Sequence, residues 1–398
     1  MELTIPLHDS ILPHILSFLA AEDAIKTSLS FYNLPGVARV PGFFAFVYKT
    51  VELYSSSGKL DKFLIDFKYK TIKKLYLEFE TSGSSYLFPR RLRFHTSSTL
   101  KTLSLRFCHF TKKNLYYLGI CWASLKVLWI GYARLSHVMM QNILFGSPAL
   151  TELRLYNFVF KGYKVVITSS SLKKLELVGD KVLANSDNDS AIVEIWALNL
   201  QSLNISGFMN KKRFRLTDVS SLVEAKLSYE RTITEYGRNS LRLLLKLPHV
   251  PKLTISAWFL KKMQSWPSPL AKLKTLVLDT QLDKWDLPGI VNLLQSSPYL
   301  EKLVTNFVPS YGSKFEFPPD YTDSNFDHEE CWKSQDMTFG RLHLKTVEIV
   351  GFEARCVGLK FVTGLVQFLL KHARVLEKMI IYGKREGGNQ ISALVEAC

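Results

Sequence analysis

Arg106, Trp129, Arg154 and Tyr156 are the side chains whose types and spacing first suggest chemistry. Trp129 and Arg154 stand 25 residues apart, and Arg106 and Tyr156 occupy the matching neighbouring positions. Arginine and large aromatic side chains anchor macromolecular contacts, so the chemistry they suggest is recognition rather than bond breaking. Trp129 either stands open for a partner or is covered by a neighbouring loop, because large aromatics are seldom left bare. No catalytic constellation competes with this set. The nine histidines include no His-Glu-x-x-His pair, and there is neither a nucleophile elbow nor a Gly-x-x-x-x-Gly-Lys phosphate loop. No catalytic residue and no cofactor is expected.

Two other stretches carry reactive or charged types. Residues 320–331 hold Asp320, Asp323, Asp327, His328, Glu329, Glu330 and Cys331. They show no zinc-ligand spacing and lack the central glycine of a calcium loop, so no metal is expected. They read as part of an acidic surface insertion spanning residues 310–338. Lys211-Lys212-Arg213-Phe214-Arg215 is the densest basic run. It reads as a solvated loop, with a nuclear-import signal or an anion contact as the sharper alternatives.

The elements that position the first set are repeats. Leu100, Leu103 and Leu105 mark a six-residue unit whose first, fourth and sixth places are apolar. First-place anchors Leu100, Leu125, Leu150, Leu172 and Leu200 are 25, 25, 22 and 28 residues apart. Further copies start at Leu273, Leu300 and Leu344, with weaker ones at Ile72, Leu222 and Val250 and a faint one at Tyr48. This is the period of leucine-rich repeats, each a strand plus a helical or irregular return. One copy cannot bury its own leucines, so the copies must stack into a solenoid. The expected fold class is α/β: a curved parallel sheet with irregular or helical returns, over residues 46–338. Helices are expected over Val138–Phe145 and Ile290–Gln295, each stopped by the Ser-Pro that precedes the next strand.

Alternation along each strand sends the third, fifth and seventh places to the concave face. From Ile72 to the strand starting at Leu376, those places carry eight basic and six acidic residues, 8 − 6 = +2. The chain as a whole carries +16, so most of the excess must lie on loops and on the convex side. Duplex binding would need a stripe of one sign, so a nucleic-acid partner is disfavoured. Five scattered cysteines without a Cys-x-x-Cys pair suggest a reducing compartment. The N-terminus shows no signal-peptide pattern, and no apolar run approaches the length of about 18 residues that marks a membrane helix. Cytoplasm or nucleus is the expected location.

Residues 1–45 have a different character. Asp9 or Ser10 can cap a helix whose apolar stripe is Ile11, Leu12, Ile15, Leu16 and Leu19, and Asp23 can cap a second carrying Ile25 and Leu29. Without a core of their own, they must pack on a partner or cap the open solenoid end. Leu7, Asp9, Ile11-Leu12, His14 to Leu19 and Asp23 to Ser28 resemble the plant F-box motif. That resemblance implies that Leu7, Ile11, Leu12, Ile15, Leu16, Leu19, Ile25 and Leu29 dock a Skp-type adaptor, and through it cullin and RING subunits. The pattern departs after residue 28: Leu34 stands where the family has tryptophan, and Pro35-Gly36 breaks the third helix.

Residues 339–385 read as strand, helix, strand, followed by a tail over 386–398. Leu344-Lys345-Thr346-Val347-Glu348-Ile349 with Gly351-Phe352, and Leu376-Glu377-Lys378-Met379, resemble the FBD module that ends many plant F-box proteins. The whole chain therefore resembles a plant F-box/leucine-rich-repeat protein with an FBD-like end. The resemblance implies a non-catalytic substrate adaptor of an SCF-type ubiquitin ligase, with a target protein on Arg106, Trp129, Arg154 and Tyr156. Two other readings are a repeat scaffold detached from the adaptor and a small-ligand sensor.

Overall fold

The computed structural model describes residues 74–78, 97–106, 119–179, 191–209, 212–230, 242–260, 269–280, 282, 286–307, 343–353, 359–384 and 390–396. The F-box-like residues 7–29, the faint repeat at Tyr48 and the acidic insertion 310–338 lie outside them.

Among the described residues, thirteen strands form one sheet. Its first members are β1 (Lys74–Glu78), β2 (Thr102–Arg106), β3 (Val127–Gly131) and β5 (Glu152–Tyr156). Next come β8 (Lys174–Gly179), β10 (Ser202–Phe208), β12 (Glu224–Glu230), β13 (Lys252–Ser256) and β14 (Thr275–Thr280). The sheet ends with β15 (Lys302–Phe307), β16 (Thr346–Glu353), β17 (Lys378–Lys384) and β18 (Gln390–Glu396). Sheet order follows chain order, and each pair up to β16–β17 is parallel, as crossover returns require. The two weak copies at Leu222 and Val250 are genuine members, as β12 and β13.

The register is that of the repeat. Leu103, Leu128, Leu153, Leu175 and Leu203 face one another across β2, β3, β5, β8 and β10, all essentially inaccessible to solvent. Each such leucine contributes about 1.5–3 kcal/mol relative to exposure, and the contribution exists only while its neighbours are stacked. A backbone device holds that register. The Lys101 carbonyl accepts from the amides of Lys126 and Val127 at 2.8 and 3.0 Å, and the Lys126 carbonyl from those of Thr151 and Glu152 at 2.9 Å each. The same double acceptance continues at Thr151, Lys173 and Gln201.

The returns differ along the chain. Helix α1 (His137–Gly146) starts at Ser136, whose hydroxyl accepts from the Met139 amide, and ends at Ser147 before Pro148. Helices α2 (Ala257–Leu260), α3 (Leu287–Gln295) and α4 (Leu359–His372) fill later returns. Around α1 and on to Thr217 the described returns also include β-structure. Strands β4 (Arg134–Ser136) and β6 (Val159–Lys161) pair, while β7 (Lys164–Thr168), β9 (Ile192–Trp196) and β11 (Arg213–Thr217) form a three-stranded parallel sheet. The edge of β7 is closed by α1. The Val166 amide donates to His137 Nδ1 at 3.3 Å, and Gln141 Nε2 donates to the Val166 carbonyl at 2.7 Å.

Two segments depart from the sequence reading. From Lys212 on, the basic run is no solvated loop: Arg213 and Arg215 lie on β11, alternating with the buried Phe214 and Leu216. Lys212 is only 2% exposed, its Nζ 5.1 Å from the Phe158 ring centre. The stem of a long cation packs readily against apolar surface, which is why charge density misleads here. The tail carries β18, which pairs antiparallel with β17 and ends the sheet with a strand of opposite sense.

Candidate recognition face

The concave face is built from three rows of outward side chains that run perpendicular to the strands. Strand spacing sets about 4.8 Å between successive members of a row. In the middle row, Ser104, Trp129, Arg154 and Glu176 are consecutive across β2, β3, β5 and β8. In the next row, Arg106, Gly131, Tyr156 and Val178 are consecutive. The structure thus brings all four sequence-predicted residues onto three neighbouring strands.

Their contacts decide what they can do. The Arg154 guanidinium carbon lies 4.4 Å from the centre of the Trp129 ring. Arg154 Nε pairs with Glu152 and, at 3.3 Å, with Glu176 Oε2. Lys174 Nζ closes the group, 2.9 Å from Glu176 and 3.8 Å from Glu152. Two cations therefore face two carboxylates, and Arg154 offers a partner little net charge. Its stacked plane, with cation–π attraction of about 0.5–1 kcal/mol at such exposure, holds the indole in place. Trp129 remains 39% exposed and Tyr156 46%. Of the two readings of Trp129, the described residues support the open one.

Arg106 lies over the ring of Tyr132, 5.6 Å from its centre. Tyr132 was not singled out from sequence. It occupies a left-handed turn (φ 51°) directly after β3, as Asn157 (φ 47°) does one repeat later after β5. A shared turn at the strand ends could have flagged it, but tyrosine is not a residue from which that conformation is inferred. Gly131 separates Arg106 from Tyr156 in the row. A Cβ there would lie 3.4 Å from Arg106 Cγ and 3.7 Å from Tyr156 Cβ, so the two side chains close over the glycine.

Further along, the face is a lattice of ion pairs. Lys226 on β12 reaches across β13 to Asp279 on β14 at 2.7 Å. At the bridge β13 presents the small, buried Thr254 beside Lys226 and Ser256 beside Asp279. Ser228 Oγ donates to the same carboxylate at 2.9 Å, and Asn306 Nδ2 from β15 donates at 3.0 Å. Lys252 pairs with Glu224 at 3.2 Å, and Lys302 with Glu348 at 2.7 Å. The Ser202 hydroxyl, 2.6 Å away, and then Lys252 hold the Glu224 carboxyl below its ordinary range.

Among the described concave side chains, every carboxylate (Glu152, Glu176, Glu224, Asp279, Glu348) meets a cation. The seven cations and five acids leave 7 − 5 = +2, in agreement with the reading from alternation. Among the described residues no group of His, Cys, Asp and Glu could hold a metal, and no helix is long and apolar enough to cross a membrane.

A family model described as the At1g61320/AtMIF1 LRR domain matches residues 44–398. The chain belongs to this family. The match takes residues 339–385 as part of the repeat domain, so the FBD likeness rests on its two motifs alone. A putative F-box/LRR-repeat protein of Arabidopsis thaliana, At3g18150, is 29% identical over 423 residues, covering 94% of this chain and 85% of the relative. The Arabidopsis F-box/LRR-repeat protein At5g02910 is 27% identical over 428 residues, covering 96% and 88%. The probable F-box protein At1g60180 is 28% identical over 280 residues, covering 66% and 80%. The chain is thus a plant F-box/LRR protein whose repeat array is a parallel-sheet solenoid.

Proposed function

We infer that this chain is the non-catalytic substrate-recognition subunit of an SCF-type ubiquitin ligase. Residues 7–29 dock a Skp-type adaptor that links to cullin and RING subunits, and the concave face around Trp129 holds the target protein. The observation that carries the target side is the open Trp129–Tyr156 pair, set beside charges that neutralise one another. Such a surface suits an apolar or aromatic anchor on a protein partner better than a polyanion, because neutralising many phosphates together needs a surplus of positive charge. Ubiquitin transfer then belongs to the other subunits, and the cytoplasm or nucleus is where they would act together.

Co-purification tests the adaptor half. Full-length protein should recover a Skp adaptor under conditions that recover a regular F-box protein, and a Leu12→Asp/Leu16→Asp variant should not. No recovery by the wild type defeats the reading. The departure at Leu34 and Pro35-Gly36 favours one rival, a repeat scaffold detached from the ligase. Replacing residues 30–38 with a tryptophan-bearing helix separates the two, since adaptor binding only after replacement selects the scaffold. Comparing proximity-labelled partners of the wild type and Trp129→Ala/Arg154→Ala tests the target half, and identical partner sets would remove the patch.

A further inference from the structure

We propose that the outer face of the convex sheet β7–β9–β11 is a second recognition surface, built to take an acidic peptide segment in extended form. Its inner side chains Val165, Ile167, Val193, Ile195, Phe214 and Leu216 belong to the core, which leaves three outward rows. Register places Lys164, Ile192 and Arg213 in the first row, Val166, Glu194 and Arg215 in the second, and Thr168, Trp196 and Thr217 in the third.

Glu194 sits at the centre, 2.8 Å from Lys164 Nζ and 3.2 Å from Arg215 Nη1. One carboxylate thus orients cations from both neighbouring strands. The hydrogen bond from Lys164, then the charges of Lys164 and the bond from Arg215, keep it ionised against its burial. With Lys161 at the end of β6 and the exposed Asp218 directly after β11, the described residues of the patch count Lys161, Lys164, Arg213 and Arg215 against Glu194 and Asp218, 4 − 2 = +2. The concave face spreads the same +2 over eleven described strands. Trp196 is 43% exposed between two threonines, and Tyr163 is 89% exposed in the turn before β7.

The geometry selects a peptide. Arg213 and Arg215 are alternate residues of one strand, about 6.8 Å apart, which is also the spacing of alternate side chains in an extended partner. Two carboxylates at alternate positions can therefore meet both arginines, with an apolar side chain continuing onto Trp196. A nucleic-acid strand is a poorer fit. The patch is only two interstrand gaps wide, about 10 Å. Its centre holds an ionised carboxylate, whereas nucleic-acid affinity grows with the number of phosphates neutralised together. The basic run is also no flexible import signal, because Lys212 is buried and the arginines are fixed in a strand.

The test uses the full chain and a fluorescein-labelled peptide of alternating Glu and Leu, followed by anisotropy at two salt concentrations. Arg213→Gln/Arg215→Gln should weaken binding at least tenfold. Lys101→Gln/Lys126→Gln removes the same charge from the starts of β2 and β3 and should leave binding within twofold, as should Trp129→Ala. If the arginine variant unfolds, Lys161→Gln, at an exposed lysine, should still weaken binding about threefold while the unfolding midpoint is unchanged. Equal losses in the two double variants would show a general charge effect and overturn the proposal. So would an oligo-dT of equal charge that binds more tightly than the peptide through the same arginines.

Discussion

On the concave sheet Lys226 reaches over a whole strand to Asp279, whereas on the convex sheet Lys164 and Arg215 share the single carboxylate of Glu194. Both are parallel sheets, apart from β18, with one face on the same core. The concave one repeats a unit, and its outward acids and bases alternate closely enough to pair across rows. The convex one is three strands wide with one acid, and it keeps an excess of positive charge. The inner surface is thus nearly neutral in a chain of net charge +16, and most of the excess lies off the concave face.

The strongest way to probe that contrast is through the core the two sheets share. Leu153→Ala should cost about 2–5 kcal/mol, because the cavity opens beneath both neighbouring repeats. Denaturant unfolding measures it, and a loss below one kcal/mol would mean that the two sheets are not mechanically coupled there. Next in size is Asp279→Ala, which strands Lys226, Ser228 and Asn306 around an emptied site. With Lys226 partly open to solvent, about 1–3 kcal/mol is expected. A double-mutant cycle with Lys226→Met assigns the part due to the pair.

Acid should act on both faces in the same sense. Glu194 and Glu224 titrate below their ordinary 4.5 when folded. Just below that pH the unfolded chain binds more protons than the folded one. Their stabilisation is complete above the unfolded value and is lost as pH falls through the lower folded values. Glu194→Gln should therefore reduce stability at neutral pH and flatten its acid decline, as seen in unfolding midpoints across pH. The smallest effect should come from His372, lowered from 6.5 first by burial and then by Lys371. Protonation there favours the unfolded chain, so stability falls slightly as pH drops below 6.5, and His372→Gln should remove that slope.

The strands were legible because their leucines recur in fixed places. Leu222/Ala225/Leu227 could be recognised despite the weak central alanine, since flanking copies set where it must fall. The convex strands were harder. Arg213-Phe214-Arg215-Leu216 alternates as an exposed strand should, but four basic residues among the five at 211–215 outweighed two buried apolar ones. Trp129 and Arg154 were read correctly as neighbours from their 25-residue separation. That Arg154 is held by Glu152 and Glu176, and so presents an aromatic rather than a cationic surface, depends on rotamers that no spacing encodes.

Taken alone, the sequence determined the solenoid, its twelve repeated strands and the near-neutral concave face. These follow from period and alternation, which are local properties of the chain. Tertiary structure alone decided which charges cancel, that Lys226 spans β13, that the basic run faces outward from a convex sheet, and that β18 closes the array. Those outcomes rest on contacts between different strands, 53 positions apart for Lys226 and Asp279, where packing and desolvation, not the local pattern, set the energy.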